Sequence, residues 1–213
     1  MRTLLLALIA AILCGCSSVA PPADSSSDAP DGRVTTDRLA TTYASYTDAL
    51  AAWRKPEEIN DWIATHFVYD IERAVELSES QRALRPPPQI HEPAAFFAQP
   101  TGVCVDLARF AAETMNLVAP ELRPRYLMIE FRPTELRGQL LRRHWLAMYT
   151  KHDGIYFFAD SKRPGVIAGP YPSTQAFVVQ YQRFRGRDIV AHRELVTNKR
   201  KSKALFKRSR GDA

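Results

Sequence analysis

Apolar side chains recur every three or four residues in the first part of the chain after residue 36, which is the spacing of a helix. Between residues 37 and 53 they form a single stripe of Leu39, Tyr43, Tyr46, Leu50 and Trp53. A second helix is predicted to begin at Pro56, because proline is favoured in a first helical turn and the two glutamates that follow suit the positive end of the helix dipole. The pattern therefore predicts two amphipathic helices before residue 70.

Prolines interrupt the pattern further along the chain. A polar helix is predicted over residues 70–84, and it must end before the three prolines at positions 86–88, because a run of prolines cannot lie inside a helix. Residues 85–101 are predicted to form an ordered loop. Helical spacing resumes directly after Cys104 and continues to Leu117, so a helix is predicted to begin at the cysteine.

Beyond residue 124 the pattern is that of strands, in short segments rich in aromatic and β-branched residues. Three strands and a final helix are predicted, over residues 125–132, 143–150, 155–160 and 174–184. Helices followed by a small antiparallel sheet are typical of an α+β fold. The segment 37–195 is long enough to form one domain with its own hydrophobic core.

The N-terminus predicts export and a lipid anchor. A positively charged start precedes an apolar run from Leu4 to Leu13, which has the length of a signal-peptide core and is too short to span a bilayer. The run ends near Cys16, and this junction resembles a bacterial lipoprotein signal, in which the cysteine becomes the acylated N-terminus. Residues 1–15 are thus predicted to be a signal peptide, with lipidation (palmitate) at Cys16, and Ser17 favours the periplasmic face of the outer membrane. An ordinary cleaved signal peptide is the alternative.

Both ends of the mature chain are predicted to lack structure of their own. Residues 16–36 are rich in proline, serine and aspartate and are predicted to form a flexible tether. Residues 196–213 form a basic tail, and its charge equals the net charge of +6 of the whole chain. Because the positive charge does not spread over a folded face, no nucleic-acid partner is predicted. The tail is either simply solvated or contacts anionic lipid or cell-wall polymer.

Cys104 is the one cysteine beyond residue 16, so it has no disulfide partner within the domain. It is either a small buried side chain, as free cysteines often are, or a reactive thiol. A thiolate is favoured at a helix N-terminus beside a histidine. The unpaired backbone N–H groups of the first turn, with that of Cys104 among them, can also hold a developing oxyanion.

A histidine base needs a rigid mount, and of the five histidines only His144 lies inside a predicted strand. The next predicted strand ends in Asp160. A three-residue hairpin loop ending at Gly154 pairs Lys151 with Ile155 and puts Asp160 on the face of His144, whereas a two- or four-residue loop puts it on the other face. Glycine at the last loop position favours the three-residue loop, and with it a His–Asp pair.

The motifs around these residues, GVCVDLA, HWLAMY and YFFADSKRP, resemble the transglutaminase-like superfamily of papain-type thiol enzymes, and in particular its bacterial cysteine proteinases. The resemblance covers roughly residues 50–165. It implies an α+β fold in which N-terminal helices and the helix that bears Cys104 pack on a small antiparallel sheet carrying His144 and Asp160. These three residues are then the catalytic triad.

The resemblance also suggests what surrounds the thiol. Gln99 is placed to donate a side-chain N–H to the oxyanion, as a glutamine upstream of the nucleophile does in papain. Bacterial members often carry acidic residues beside the cysteine, and some bind calcium there, but Val103 and Val105 occupy those positions in this chain. With no paired cysteines and no His-x-x-x-His motif in the mature chain, neither a metal site nor a cofactor is predicted.

Together these features predict a lipid-anchored, extracytoplasmic thiol hydrolase or acyl transferase that acts as a monomer on an amide bond of a protein or peptide. Peptidase or amidase action is favoured over transglutaminase action, because water needs no second-substrate site. Two alternatives remain. One is a catalytically silent transglutaminase-like lipoprotein that serves as a cell-envelope binding module or scaffold, and the other is an adaptor whose basic tail is the functional part.

Overall fold

The structure, a computed structural model, describes residues 28–31 and 41–196. The predicted signal peptide, the lipidation site Cys16 and the tail from residue 197 lie outside the described residues, as does the predicted tether except for residues 28–31. Within the two described ranges, no helix has both the length and the apolar character needed to cross a membrane.

Helices make up most of the first half of the domain. They are α1 (Tyr46–Ala52), α2 (Pro56–His66), α3 (Ile71–Glu76), α4 (Glu79–Leu84), α5 (Pro93–Ala98) and α6 (Cys104–Val118), and α7 (Thr174–Arg185) lies near the C-terminus. The predicted helix starts at Pro56, Cys104 and Thr174 are confirmed. The first helix is shorter than predicted, because it begins after Ser45, whose hydroxyl accepts a hydrogen bond from the backbone N–H of Asp48.

Two predictions between residues 70 and 101 are wrong in detail. The polar helix is in fact two helices, because the hydroxyl of Ser78 accepts a hydrogen bond from the backbone N–H of Gln81 and starts a new helix. The segment predicted as a loop contains α5, which begins at Pro93 and buries the ring of Phe96 completely. Apolar contact with the core thus orders a stretch in which proline alone suggests a loop.

The strands form two sheets. They are β1 (Val68–Tyr69), β2 (Thr101–Gly102), β3 (Arg125–Leu136), β4 (Gln139–Lys151), β5 (Gly154–Phe158), β6 (Ala168–Tyr171) and β7 (Ile189–Leu195). β1 and β2 form a short parallel pair, and the other five strands form an antiparallel sheet in the order β6-β5-β4-β3-β7. The small antiparallel sheet is confirmed. Its two edge strands, β6 and β7, were not predicted.

Helices cover both faces of the five-stranded sheet. Side chains alternate along β4, so Ala147 and Tyr149 pack in the core formed with α6 and the N-terminal helices. Leu146 and Met148 pack instead in a second core formed with α7. His144 has the same parity as this second set and therefore lies on the α7 side. The strand thus presents its histidine to residues of α7.

The hairpin between β4 and β5 differs from its predicted register by one residue. Lys151 pairs with Gly154, and the two-residue turn His152–Asp153 replaces the predicted three-residue loop. A strand continued in this register carries Asp160 to the face opposite His144, because a one-residue slip moves every side chain to the other face.

Asp160 nevertheless reaches His144, because the strand ends before it. The ladder stops at the pair Ala147–Phe158, and the following Ala159 has a φ of +55°. This left-handed conformation is uncommon for a residue other than glycine, and it breaks the alternation of the strand. The predicted contact is therefore correct although the predicted register is wrong, and a backbone turn at Ala159 makes it.

Candidate active site

Cys104 is the first residue of α6, and its side chain is only 6% exposed. Asp106 holds the start of this helix: its Oδ2 accepts a hydrogen bond from the backbone N–H of Val103 at 3.1 Å. Gly102 packs closely against this carboxylate, since a Cβ at that position would lie 3.0 Å from Oδ2 of Asp106. A side chain at position 102 would therefore press on the Asp106 carboxylate and require it to shift by a few tenths of an ångström.

A buried ion pair fixes Asp106 in turn. The guanidinium of Arg73 donates two hydrogen bonds to its carboxylate, at 2.7 and 2.8 Å, and the backbone N–H of His91 donates a third at 2.9 Å. A two-pronged contact of this kind between guanidinium and carboxylate holds both planes in one orientation. Asp106 therefore supports the helix start, as its position two residues after Cys104 suggests.

The imidazole of His144 lies between two carboxylates. Its Nε2 lies 3.0 Å from Oδ1 of Asp160, within hydrogen-bonding distance. On the other side of the ring, Nδ1 lies 3.1 Å from Oδ2 of Asp28, at ion-pair distance but without hydrogen-bond alignment. The ring is 0% exposed, and Asp28 and Asp160 are 6% and 2% exposed. Water therefore screens neither contact effectively.

Tyr181 and Arg185, on successive turns of α7, join the two carboxylates. The Tyr181 hydroxyl donates to Oδ2 of Asp160 at 3.0 Å and lies 3.0 Å from Nε2 of His144. Arg185 donates to the Tyr181 oxygen at 3.2 Å and to Oδ1 of Asp28 at 2.7 Å. The network explains why a tyrosine and an arginine lie buried on the face of α7 that covers His144.

Residues 160–163 add further hydrogen bonds to this network. The backbone N–H of Lys162 donates to Oδ1 of Asp160 at 2.9 Å, and Arg163 donates to Oδ2 at 3.1 Å. The hydroxyl of Ser161 donates to the backbone carbonyl of Asp28 at 2.9 Å. The same short stretch therefore orients Asp160 and binds the N-terminal segment.

Three reactive groups meet at the start of α6. The thiol of Cys104, one ring nitrogen of His144 and the carboxylate of Asp28 lie within 4.8 Å of one another. Asp160 and Tyr181 occupy the Nε2 side of the ring, which leaves Nδ1 as the nitrogen that can serve the thiol. The cavity beside the thiol has a volume of about 40 Å³, which is room for a few water molecules and not for a peptide.

Burial and charge set the protonation states at this point. Burial raises the pKa of the Cys104 thiol above its ordinary value, and the negative charge of Asp28 raises it further, against the opposing effect of hydrogen bonds from His144 and the backbone of Trp145. Burial alone lowers the pKa of His144, but the carboxylates of Asp28 and Asp160 outweigh it and raise that pKa well above its ordinary value. With the Asp28 carboxylate in place, both shifts therefore favour the protonated form of the ring and of the thiol.

Asp160 is ionised throughout the neutral range. Burial opposes its ionisation, but the hydrogen bond to His144 and the positive charge of that ring lower the pKa of Asp160 to about 2. The pKa of Asp28 is also lowered, against burial, by His144 and Arg185. Two buried carboxylates thus lie among the His144 ring and the guanidinium groups of Arg163 and Arg185, whose positive charge compensates for theirs.

The three grouped donors can also hold a metal ion. A thiolate, an imidazole nitrogen and a carboxylate oxygen are ligands typical of zinc. The sequence predicted no metal site, and it had no means of placing Asp28, which supplies the third donor. The two residues that flank Cys104, Val103 and Val105, are apolar and buried and offer no further ligand.

Gln99, expected to donate to the oxyanion, is not brought to the thiol. It is exposed at the end of α5 and lines a separate surface pocket with Arg73 and His91. The extended strand β2 separates it from Cys104, because Thr101 and Gly102 pair with β1. The cavity beside the thiol is lined by Tyr69 instead.

Three residues of the site, Tyr181, Arg185 and Asp28, were not predicted from the sequence. Tyr181 lies at helical spacing and resembles an ordinary core residue, while Arg185 in the last turn of α7 resembles a residue that complements the helix dipole. Asp28 lies in a polar segment that has nothing to bury. The signal for Asp28 is a short acidic motif that pairs with the buried Arg185, and this pairing is visible only in the tertiary structure.

Comparisons with known proteins add a distant likeness. No family model matches the chain, and no curated protein matches it. Among solved structures, calcium-bound LapG from Legionella pneumophila is similar, with 14% identity over 70% of this chain and 71% of that chain, and a TM-score of 0.38. A TM-score this low describes a loose resemblance.

Proposed function

We propose that the protein is a thiol hydrolase or acyl transferase in which Cys104 is the nucleophile, His144 the base and Asp160 the residue that orients the base. The observation that carries this proposal is the buried contact of His144 Nε2 with Asp160 at 3.0 Å, which leaves Nδ1 for a thiol at a helix N-terminus. This is the arrangement that activates a cysteine nucleophile.

The chemistry follows from these positions. In the reacting state the ring is neutral, with its one proton on Nε2 facing Asp160. Nδ1 of His144 takes the proton of the Cys104 thiol, and the thiolate sulfur attacks the carbonyl carbon of an amide. The imidazolium then gives its proton to the leaving amine, and the C–N bond breaks to leave an acyl-enzyme thioester. Water, deprotonated by the same ring, releases the acid and restores the thiol. An amine in place of water completes an acyl transfer.

Two groups are placed to stabilise the oxyanion. The backbone N–H of Cys104, at the first position of α6, points out of the helix without an intrahelical acceptor. Tyr69 lines the cavity beside the thiol. Burial and the charges of Asp28 and Cys104 raise the pKa of Tyr69 far above its ordinary value, so its hydroxyl stays a protonated donor. Tyr69 thus replaces Gln99 in this role.

The setting of the reaction follows from the sequence. The lipoprotein-like junction at Cys16 supports a lipid-anchored protein at the periplasmic face of the outer membrane, with the segment 16–36 connecting anchor and domain. A protein or peptide substrate near that surface is the partner, and the domain works as a monomer without a cofactor. The basic tail is either simply solvated or contacts anionic lipid or cell-wall polymer. Replacing Cys16 with serine is expected to release the chain from the membrane fraction.

Labelling by a thiol-directed electrophile at neutral pH tests the triad. Labelling is expected at Cys104, and His144→Ala is expected to slow it about 100-fold or more, because a positioned base contributes roughly that much. His152→Ala is the matched control, since His152 is exposed in a turn, and it should leave the rate unchanged. Labelling that is no faster than that of a free thiol and is indifferent to His144 would instead support the silent binding module.

A further inference from the structure

Residues 28–31, Asp-Ala-Pro-Asp, occupy the site as a ligand would. Both acidic side chains of this segment bind cations: the carboxylate of Asp28 lies 2.7 Å from Arg185, and that of Asp31 lies 2.5 Å from Lys162. The backbone is bound as well, through the hydrogen bond from Ser161 to the carbonyl of Asp28. Side chains and main chain are thus recognised together, as in the binding of an extended peptide.

The two cations belong to the interior of the domain. The side chain of Arg185 is 1% exposed and that of Lys162 is 4% exposed. Placing such charges inside a protein costs several kcal/mol of desolvation unless carboxylates accompany them. The carboxylates of Asp28 and Asp31 supply part of this compensation, and neither cation has a role in the proton transfers of the triad.

From this geometry we propose that Arg185 and Lys162 form a subsite for acidic peptides beside Cys104, and that residues 28–31 are its intramolecular occupant. The proposal rests on the function proposed above, because it names the substrate class of that site: segments with an acidic residue next to the reacting bond and a second one three residues later. An acidic substrate binds only after residues 28–31 have left the subsite.

The bound segment also holds the triad inactive. Asp28 sits at 3.1 Å from Nδ1 of His144, which is the nitrogen that must take the thiol proton. With Asp28 in place a carboxylate oxygen rather than the thiol faces Nδ1, and little room remains beside the sulfur. The segment therefore competes with substrate for Arg185, Lys162 and the space beside the sulfur, and a substrate must bind Arg185 without placing a carboxylate oxygen against Nδ1.

Peptide binding to a catalytically inert chain tests the subsite. The probe is a fluorescein-labelled peptide, SDAPDG, whose sequence is that of residues 27–32, and the matched control is SNAPNG. Anisotropy is measured with the full chain carrying Cys104→Ser and Asp28→Asn, so that the intramolecular segment is weakened. SDAPDG is expected to bind about 30-fold or more tightly than SNAPNG, since losing one partner of a buried charge pair has at least that effect.

A second comparison checks the intramolecular competition. The chain with Cys104→Ser alone keeps Asp28 and is expected to bind SDAPDG about tenfold or more weakly than the double variant, because its own segment must leave first. Equal affinity for the two peptides, no binding of either, or equal affinity of the two chains overturns the proposal. Thermal unfolding of both variants verifies that they are folded.

These outcomes are separable from those of the triad. Binding needs no thiol, so a chain that fails the labelling test but prefers SDAPDG refutes the triad and keeps the subsite. A chain whose thiol labels rapidly but which does not distinguish the peptides keeps the triad and refutes the subsite.

Discussion

Asp160 and Asp28 contact the two nitrogens of one imidazole at nearly the same distance, 3.0 and 3.1 Å, yet the proposed mechanism gives them opposite roles. Asp160 belongs to the folded domain and is oriented by its neighbours Lys162 and Arg163. Asp28 belongs to a four-residue segment whose neighbours on both sides lie outside the described residues. The carboxylate of Asp160 leaves Nδ1 available for the thiol, whereas the carboxylate of Asp28 occupies Nδ1. What a buried ion pair does therefore depends on which atom it leaves available.

Replacing Asp160 with asparagine is expected to have the largest effect. The amide keeps the shape of the side chain but loses the charge that stabilises the imidazolium, so labelling of Cys104 should slow by about 100-fold. The measurement is the rate of alkylation at neutral pH. Asp188→Asn is the matched control, since the Asp188 carboxylate is 64% exposed, and it should have no effect. An unchanged rate in Asp160→Asn would remove the distinction between the two carboxylates.

Acid unfolding sharpens the comparison through the same residue. The pKa of Asp160 lies at about 2, below the ordinary value of 3.8, so the stability that its ionised form contributes is present above pH ~4 and is lost as the pH falls through about 2. That contribution is about 2 kcal/mol. The difference in free energy of unfolding between the native chain and Asp160→Asn should therefore shrink by about this amount between pH ~5 and pH ~2.

The measurement is urea denaturation of both chains across this pH range. A difference that stays constant down to pH ~2 would mean that the Asp160 carboxylate gains nothing from His144 in the folded state. His144 has its pKa raised, so its contribution has the opposite sense: it is fully present in this acidic range and is lost only as the pH rises through the raised pKa. It therefore does not mask the loss at Asp160.

Replacing Asp28 with asparagine is expected to have a smaller effect of opposite sign. Removing this charge frees Nδ1 of His144 and lowers the pKa of the thiol, so labelling of Cys104 should accelerate about tenfold. Asp153→Asn, at an exposed turn far along the hairpin, serves as the control. A slower rate in Asp28→Asn would show that Asp28 supports the triad as Asp160 does.

Local sequence patterns predicted the parts of the site that depend on interactions between residues close together in the chain. The helix that begins at Cys104 follows from apolar spacing, and the strand that bears His144 follows from aromatic and β-branched content. The contact between His144 and Asp160 was also foreseen, but from a hairpin register that is one residue out. The contact forms because the backbone turns at Ala159, which adopts a left-handed conformation. The sequence does not predict this turn, because alanine has no preference for that conformation.

The sequence by itself determined which residues can do chemistry: a thiol at the first turn of a helix, a histidine on a strand and an aspartate sixteen residues later. Only the tertiary structure decided which partners they have. In the fold β2 separates Gln99 from Cys104, and Tyr181 and Arg185 lie in the network around the imidazole. Asp28 contacts Nδ1 of His144. The reason is physical: secondary structure depends on neighbours a few residues apart, whereas a buried charge is stabilised by whichever opposite charge the fold brings near, and Arg185 finds its carboxylate 157 positions away.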